Sequence, residues 1–345
     1  MGNNQVKSSK LIDSDAVYNL SFLDEGQFSK IYKGTLGPSG HNVAIKVPRV
    51  PEHIRKEKKL VKVHIEEVKK LMPNIKRANH ENIVRFLGVS YDDFRKEVWV
   101  MPQERTNVLK EFVDGSDLAT LLGNPSLSPG LRSPERRLAV ALGIARGMSH
   151  LHNMRYPLVH GDFKSSDVLV VAANYTPKIT NFGLWDFKHF FVHQTQGVPI
   201  TGIKSDEIPQ NDPGKNHHSF FNPNQAPEVI LHKERPTLFS DCWSLGAVLL
   251  HWLIDLPPWD LQDLCVRYRL RNNRQLSALK NAMRNDEDPS VLEYIRDEPD
   301  LKFLRDAFHY SAIDRLSARK VEDELLKANQ SPTWTNIAFH KYYGQ

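Results

Sequence analysis

The sequence predicts an α+β protein in two lobes, a small β-rich N-terminal lobe and a larger, mostly helical C-terminal lobe. Residues 20–48 alternate apolar and polar positions and contain turn-forming glycines between Gly34 and Gly40, a pattern typical of strands. From Ser133 onward, apolar residues recur at helical spacing and predict a series of helices. The change of pattern near Gly115 predicts the boundary between the lobes.

The individual elements follow from the same patterns. A helix is expected over residues 54–72, where Val61, Ile65, Val68 and Met72 share one face. Ser133 and Pro134 suit the N-cap and the first position of a helix. Further strands are expected at 83–89, 98–101 and 108–113, and further helices at about 238–255, 260–285, 289–296, 300–308 and 317–328. Residues 185–225 fit neither pattern and predict a long functional loop.

Composition excludes several classes of protein. The chain has 345 residues, of which 40% are hydrophobic and 25% charged, so it is neither mostly disordered nor fibrous. Its two cysteines, Cys242 and Cys265, lack metal-site spacing and favour a reducing, cytoplasmic setting. Residues 1–10 lack the apolar core of a signal peptide.

The positive charge of the chain is concentrated in one stretch. Residues 46–80 contain eleven Lys or Arg and four acidic residues, a local charge of +7 in a chain of net charge +5. Residues 55–77 carry no interleaved aromatic residues for base stacking, so no nucleic-acid partner is expected. Membrane contact is expected only through this stretch or through a myristoylated Gly2, which Val6 disfavours because the pattern requires Ser or Thr there.

Several short segments carry side chains suited to chemistry on phosphates. Residues 23–34 (LDEGQFSKIYKG) predict a strand–turn–strand that brings backbone N–H groups near phosphates, although Gly26 is the only glycine at its tip. Lys46 ends the apolar strand 43–46 (VAIK), and Glu67 lies on the helix that follows. Residues 160–170 (HGDFKSSDVLV) place Asp162 two residues from Lys164, which suits proton acceptance beside phosphate neutralisation. The segments NFGL (181–184), APE (226–228), SDCWSLG (240–246) and DR (314–315) follow in that order.

In this order and spacing the motifs resemble a eukaryotic protein kinase domain. The resemblance covers about residues 15–328, with an N-lobe over about 15–114 and a C-lobe over about 115–328. Residues 1–14 are expected to be a flexible segment, and 329–345 an aromatic tail. Within the family, the chain looks most like the tyrosine-kinase-like Ser/Thr group. Lys164, two residues after Asp162, is the residue typical of Ser/Thr kinases. The resemblance implies that the chain uses ATP with Mg²⁺ or Mn²⁺ and acts on a protein substrate or a regulated protein partner.

The resemblance also implies roles for individual residues. Lys46 would hold the phosphates of ATP and pair with Glu67, Asp162 would accept the proton of the substrate hydroxyl, and Lys164 would neutralise the transferring phosphate. Nucleotide contacts are implied for Gly26, Ile31, Ala44, Glu111, Val113 and Leu169. Structural roles are implied for Asp241, which would hold the catalytic loop, for an ion pair of Glu228 with Arg315, and for a packed column of Leu71, His160 and Phe182.

The two positions that bind metal in the family are altered. The catalytic loop has Asp167 where the family has Asn, and Asn181 stands where the family has Asp. Two interpretations stay open. The chain has lost its metal and is a pseudokinase that acts as a scaffold or regulator, or Asp167 replaces the missing carboxylate and keeps the total ligand charge at −1. The first is a binding function, and the second is an enzyme of impaired or unusual metal dependence.

Other departures from the family pattern point toward low activity. Asp24 and Ser29 replace two glycines of the phosphate loop, and Gly161 replaces an arginine that reads a phosphorylated activation loop. Phe221 lies where a Ser/Thr kinase usually has Thr, and Lys110 lies where an apolar or Thr residue is usual. Against these, Lys46, Glu67, Asp162, Lys164 and Asp241 are all present.

Overall fold

The computed structural model divides the chain into two compact units. The first comprises residues 1–79, 84–113 and 183–217, and the second comprises 80–83, 114–182 and 218–345. The structure describes residues 16–25, 29–37, 40–48, 72–92, 97–103, 115–127, 129–183, 185, 222–270 and 274–331.

A five-stranded antiparallel sheet dominates the first unit. Its strands are β1 (Val17–Glu25), β2 (Ser29–Leu36), β3 (His41–Pro48), β4 (Arg85–Asp92) and β5 (Glu97–Gln103), in the order β1-β2-β3-β5-β4. Val17, Val43, Ile45 and Val47 form the core on one face of this sheet. Residues 72–77 are helical. The five strands confirm the strands predicted at 20–48, 83–89 and 98–101, although the observed strands begin and end a few residues away from the predicted bounds.

The second unit is mostly helical, as predicted. It contains a small sheet of β6 (Ser116–Asp117), β7 (Val168–Val170) and β8 (Pro177–Ile179). Its α-helices in the described residues are α1 (Leu118–Gly123), α2 (Pro134–Asn153), α3 (Pro227–His232), α4 (Leu238–Ile254), α5 (Leu261–Arg267), α6 (Gln275–Arg284) and α7 (Ala318–Ala328). Together with the sheet of the first unit, these helices confirm the predicted α+β fold class.

Helices α2 and α4 form the centre of the second unit. The Ser133 hydroxyl caps α2 by accepting from the Arg136 N–H, as the sequence predicts. Thr237 and Ser240 form a reciprocal capping box at the start of α4, which satisfies two backbone donors of its first turn. Nearly every residue of α4 is buried, so this helix serves as a fixed support for the loops around it.

The structure corrects three predicted helices. The helix expected over 260–285 is two helices, α5 and α6, because Arg269 adopts a left-handed conformation (φ 53°) and the Leu270 N–H returns to the Cys265 carbonyl. This helix-ending motif usually carries glycine, and Arg stands there instead, so no sequence pattern predicted it. The segments expected at 289–296 and 300–308 are 3₁₀ helices, Ser290–Ile295 and Lys302–Phe308.

Several predicted features lie outside the described residues. These are the helix over 54–71, the strand over 108–113, most of the loop over 185–225, and the tail beyond Ser331. Within the described part of the chain, no helix is both long enough and apolar enough to cross a membrane.

Candidate active site

Asp241 on α4 holds the loop that carries the predicted catalytic residues. The residue is 1% exposed. Its two oxygens accept the backbone N–H groups of His160 at 2.6 Å and Gly161 at 2.9 Å. Gly161 has a φ of 83°, a conformation that glycine adopts without strain. The predicted support of the loop by Asp241 is confirmed.

His152 on α2 is the third group in contact with Asp241, and no sequence pattern predicted this contact. Its Nε2 lies 3.2 Å from Asp241 Oδ2. Burial alone would lower the pKa of His152, but hydrogen bonds to Asp241 and Cys242 outweigh burial and raise the pKa to about 9. The imidazolium therefore neutralises the buried carboxylate on which the loop rests.

This ion pair predicts a pH-dependent stability. His152 is protonated in both the folded and the unfolded chain below pH 6.5, and only in the folded chain between pH 6.5 and about 9. Its contribution to the free energy of unfolding is thus complete below pH 6.5, falls as the pH rises, and is lost above about 9. The contribution is roughly 3 kcal/mol.

Urea unfolding across this pH window should show a decline in the free energy of unfolding, and His152→Gln should abolish that decline. His309→Gln, an exposed control, should keep it, and a decline in His152→Gln as steep as in the wild type would contradict the assignment.

His160 and Phe182 are both buried, as the predicted packed column requires. The His160 Nε2 lies 2.9 Å from the carbonyl oxygen of Thr180, and its ring packs edge-on against Phe163 at 5.0 Å between centroids. These contacts join the loop 160–167 to the segment 180–182. Leu71 lies outside the described residues.

Asp162 and Lys164 form a partly exposed pair. The Lys164 Nζ lies 3.8 Å from Asp162 Oδ2. The side chain of Lys164 is 37% exposed and that of Asp162 is 22% exposed. An accessible carboxylate next to an ammonium group is what transfer of a phosphoryl group to a hydroxyl needs, because the first can accept a proton and the second can neutralise phosphate charge.

Asp167 and Asn181 are brought into direct contact. Asp167 ends the 3₁₀ helix Ser165–Asp167, and its carbonyl accepts the Thr180 N–H at 2.9 Å. The Asn181 amide Nδ2 donates to Asp167 Oδ1 at 2.5 Å, and Asp167 is 2% exposed. Asn181 has a left-handed backbone (φ 65°), which Asn tolerates better than most residues.

This pair fits a divalent metal ion in its chemistry. A carboxylate and an amide both offer the oxygen ligands that Mg²⁺ prefers, and Mg²⁺ is commonly held by one or two carboxylates together with phosphates and water. Among the described residues, no group of three or more His, Cys, Asp or Glu could hold a metal alone. The two side chains therefore suit a metal ion whose other ligands come from a nucleotide.

The predicted nucleotide contacts divide between the two units. In the first unit, Ile31 is the cross-strand partner of Lys46, and Ala44 alternates with the core residues Val43 and Ile45, so Ile31, Ala44 and Lys46 share the face opposite the core. In the second unit, Leu169 lies on β7 between buried Val168 and Val170. Gly26, Glu67, Glu111 and Val113 lie outside the described residues, as do Lys110 and Phe221.

Asp24 lies in the same cross-strand row as Lys46. It pairs with Ile31 across β1 and β2, and Ile31 pairs with Lys46 across β2 and β3. The carboxylate that replaces a phosphate-loop glycine is therefore on the lysine's face of the sheet, two strands away.

Glu228 and Arg315 form the predicted buried ion pair. The guanidinium donates to both carboxylate oxygens at 2.7 and 2.8 Å, and the Arg315 side chain is fully buried. The ion pair joins the segment that opens α3 to the segment before α7.

Comparison with known proteins decides the family. Residues 18–325 match the model of the protein kinase domain. The chain belongs to the protein kinase domain family. Family membership implies the use of ATP and a divalent metal in general.

Curated relatives of this kinase domain are Ser/Thr and receptor-like kinases. Mitogen-activated protein kinase kinase kinase 2 of Arabidopsis thaliana is 24% identical over 284 residues, which cover 81% of this chain and 38% of the relative. Serine/threonine-protein kinase-like protein CCR4 of the same organism is 33% identical over 169 residues, or 46% and 20% of the two chains. Cysteine-rich receptor-like protein kinase 10 of Oryza sativa subsp. japonica is 33% identical over 163 residues, or 47% and 22%. The kinase domain thus spans well under half the length of these relatives.

Asn222 is a site residue of this kinase domain that sequence reasoning missed. It is buried, and its amide Nδ2 donates to Asp162 Oδ1 at 3.1 Å and to the Phe163 carbonyl at 3.2 Å. Its own oxygen accepts the Asn224 N–H at 3.0 Å, and the Ser244 hydroxyl on α4 donates to the Asn224 carbonyl at 2.8 Å. Asn222 thereby ties Asp162 to the turn before α3. No pattern in the sequence pointed to this contact.

Proposed function

We propose that this kinase domain transfers the γ-phosphoryl group of ATP to Ser or Thr of a protein, with an impaired or unusual dependence on the metal ion. The observation that carries the proposal is the hydrogen bond between Asn181 and Asp167. The family has its carboxylate at position 181, whereas here the carboxylate belongs to Asp167, which the hydrogen bond keeps in contact with Asn181. The pair therefore retains one negative charge. The proposal assigns the chain to the tyrosine-kinase-like Ser/Thr group and to the cytoplasm.

The proposed roles follow from the charges at each position. Asp162 accepts the proton of the substrate hydroxyl, and Asn222 holds one of its oxygens so that the other faces Lys164. Lys164 neutralises the transferring phosphate, and Lys46 neutralises the remaining phosphates of ATP. The resemblance to the family assigns the adenine contacts to Ile31, Ala44 and Leu169 and to the backbones of Glu111 and Val113. It assigns the phosphate cover to Gly26 and the positioning of Lys46 to Glu67.

Asp167 and Asn181 are the residues proposed to hold the divalent metal, Mg²⁺ or Mn²⁺. When bound, the ion supplies positive charge that offsets the developing charge on the phosphate oxygens. Asn181 contributes a neutral oxygen where the family has a charged one, so this site holds a hard cation less strongly. This difference is the proposed reason for low activity.

A second function is supported by the same departures. A pseudokinase that binds and regulates a partner does not need a strong metal site. It also does not need the arginine that binds a phosphorylated activation loop, which Gly161 replaces, or the phosphate-loop glycine that Asp24 replaces. In that case the domain acts as a scaffold or an allosteric regulator, and the protein partner is the regulated protein rather than a substrate.

The double exchange Asp167→Asn with Asn181→Asp distinguishes these functions. If metal ligation limits the activity, label transfer from γ-labelled ATP in the presence of Mg²⁺ should rise on the order of tenfold or more, because the charged ligand returns to the family position. Adding Asp162→Asn to the exchanged chain should abolish the gain. No gain in the exchanged chain, with its folding intact, would contradict metal ligation as the limiting defect. No label transfer by either the wild-type or the exchanged chain would contradict the enzyme and favour the scaffold.

A further inference from the structure

A second concentration of positive charge lies in the C-terminal unit. Residues 264–285 contain six Lys or Arg and no Asp or Glu. Lys280 and Arg284 lie on α6, and Arg274 is its N-cap. The run is distinct from the basic stretch at 46–80.

Three cations of the described residues come together where α6 meets α3. Lys280 and Arg284 are four residues apart on α6 and so lie on one face of that helix. Lys233 is the C-cap of α3 in a left-handed conformation, and α3 packs against α6. We call Lys233, Lys280 and Arg284 the basic triad.

The triad has no acidic partner within the described residues. No carboxylate oxygen there lies within the 4.0 Å ion-pair distance of the three side chains, and Arg284 donates to the neutral Asn281 side chain at 3.2 Å. Of the acids next to the triad in sequence, Glu287 binds Arg267 at 2.8 Å and Asp288 binds Arg305 at 3.2 Å. Glu234 and Asp286 form no ion pair within the described residues. Elsewhere in this unit most arginines have an acidic partner, including Arg132, Arg137, Arg146, Arg296, Arg315 and Arg319.

The three charges are close enough to repel one another. Partial burial lowers the pKa of Lys280, and the charges of Lys233 and Arg284 lower it further. Like charges four residues apart also destabilise a helix slightly. The C-terminal dipoles of α3 and α6 stabilise Lys233 and Arg284, which lie at the ends of these two helices. They do not account for the third cation, Lys280, beside them.

The position of the triad indicates what kind of partner it faces. Lys233 ends the helix that begins with the Ala226-Pro227-Glu228 sequence, and the turn just before that helix contacts Asp162 through Asn222. A chain bound at the triad is therefore near the segment that leads to the candidate catalytic pair. A protein segment fits this small, three-charge spot better than a membrane, which attracts broad polybasic surfaces.

We propose that the basic triad is a docking site for an acidic segment of a protein partner. Only the further assignment of that partner as a substrate rests on the proposed function; the binding itself does not. Complementary charge at such a site raises the association rate and selects the partner.

Fluorescence polarisation of a labelled octaglutamate peptide with the full chain tests the proposal without nucleotide. The triple variant Lys233→Glu, Lys280→Glu and Arg284→Glu should bind about tenfold more weakly, because like charges then face the peptide. The control Arg155→Glu, Lys302→Glu and Lys320→Glu changes the net charge equally at other positions of the same unit and should bind within about twofold of wild type. The single variants Lys280→Gln and Arg284→Gln, with smaller losses, replace the triple variant if it does not fold.

Three outcomes would overturn the proposal. The first is saturable peptide binding that both triple variants weaken equally. The second is no peptide binding by the wild-type chain. The third is binding to phosphatidylserine vesicles that depends on the triad, while peptide binding does not depend on it. Because no phosphoryl transfer is measured, failure here leaves the proposed kinase activity standing, and failure of the activity leaves peptide binding to be measured.

Discussion

Replacing Asp167 by Asn is expected to abolish the metal-dependent part of ATP binding. Asp167 is the charged member of the pair it forms with Asn181 at 2.5 Å, and the substitution leaves two neutral amides where a hard divalent cation needs a carboxylate. A ligand present at a hundred times its dissociation constant stabilises a protein by about 2.7 kcal/mol. The thermal shift that Mg²⁺ adds to ATP should therefore disappear in Asp167→Asn, and differential scanning fluorimetry measures it.

Asp162→Asn is the matched control for this prediction. It also removes one carboxylate from the same loop, five residues earlier in the chain, but from the position proposed to accept a proton rather than to hold metal. It should keep the metal-dependent shift and lose label transfer. An Asp167→Asn chain that keeps the Mg²⁺-dependent shift would place the metal ligands elsewhere.

Glu228→Ala is expected to destabilise the second unit strongly. Arg315 is fully buried, and besides Glu228 it donates to the carbonyls of His309 at 2.8 Å and Phe239 at 3.1 Å. It also stacks over the ring of Trp243. Removing the carboxylate leaves a buried guanidinium without its counter-charge, which costs about 3–5 kcal/mol. Urea unfolding followed by tryptophan fluorescence measures the loss.

An exposed ion pair provides the comparison. Glu293 lies 3.6 Å from Arg296, and both side chains are largely exposed, so Glu293→Ala should cost less than about 1 kcal/mol. Equal losses in Glu228→Ala and Glu293→Ala would show that burial does not strengthen the dependence of Arg315 on its partner.

The sequence predicted the features that local patterns or family motifs determine. The alternation of apolar positions predicted strands over residues 20–48, and the motifs anticipated Asp241 beneath the catalytic loop. The Glu228–Arg315 ion pair followed from the same resemblance. For Asp241 and for the Glu228–Arg315 pair, the interacting residues are themselves part of the family motifs.

The sequence could not predict contacts whose partners are distant and whose residue types are ordinary. Asn222 and Asp162 are 60 positions apart, and an isolated Asn in a Pro-rich segment gives no sign that its amide is buried against a carboxylate. His152 looks like one more polar residue of α2 until the fold brings Asp241 beside it. The break at Arg269 carries no glycine, so only the backbone geometry reveals it.

The shift in melting temperature of the wild-type chain with ATP, in the presence and absence of Mg²⁺ or Mn²⁺, tests the central claim most directly. If Asp167 and Asn181 together hold a metal ion beside the nucleotide, ATP with metal should stabilise the chain clearly more than ATP with a chelator. An equal shift with and without metal, or no shift with ATP at all, would contradict the claim.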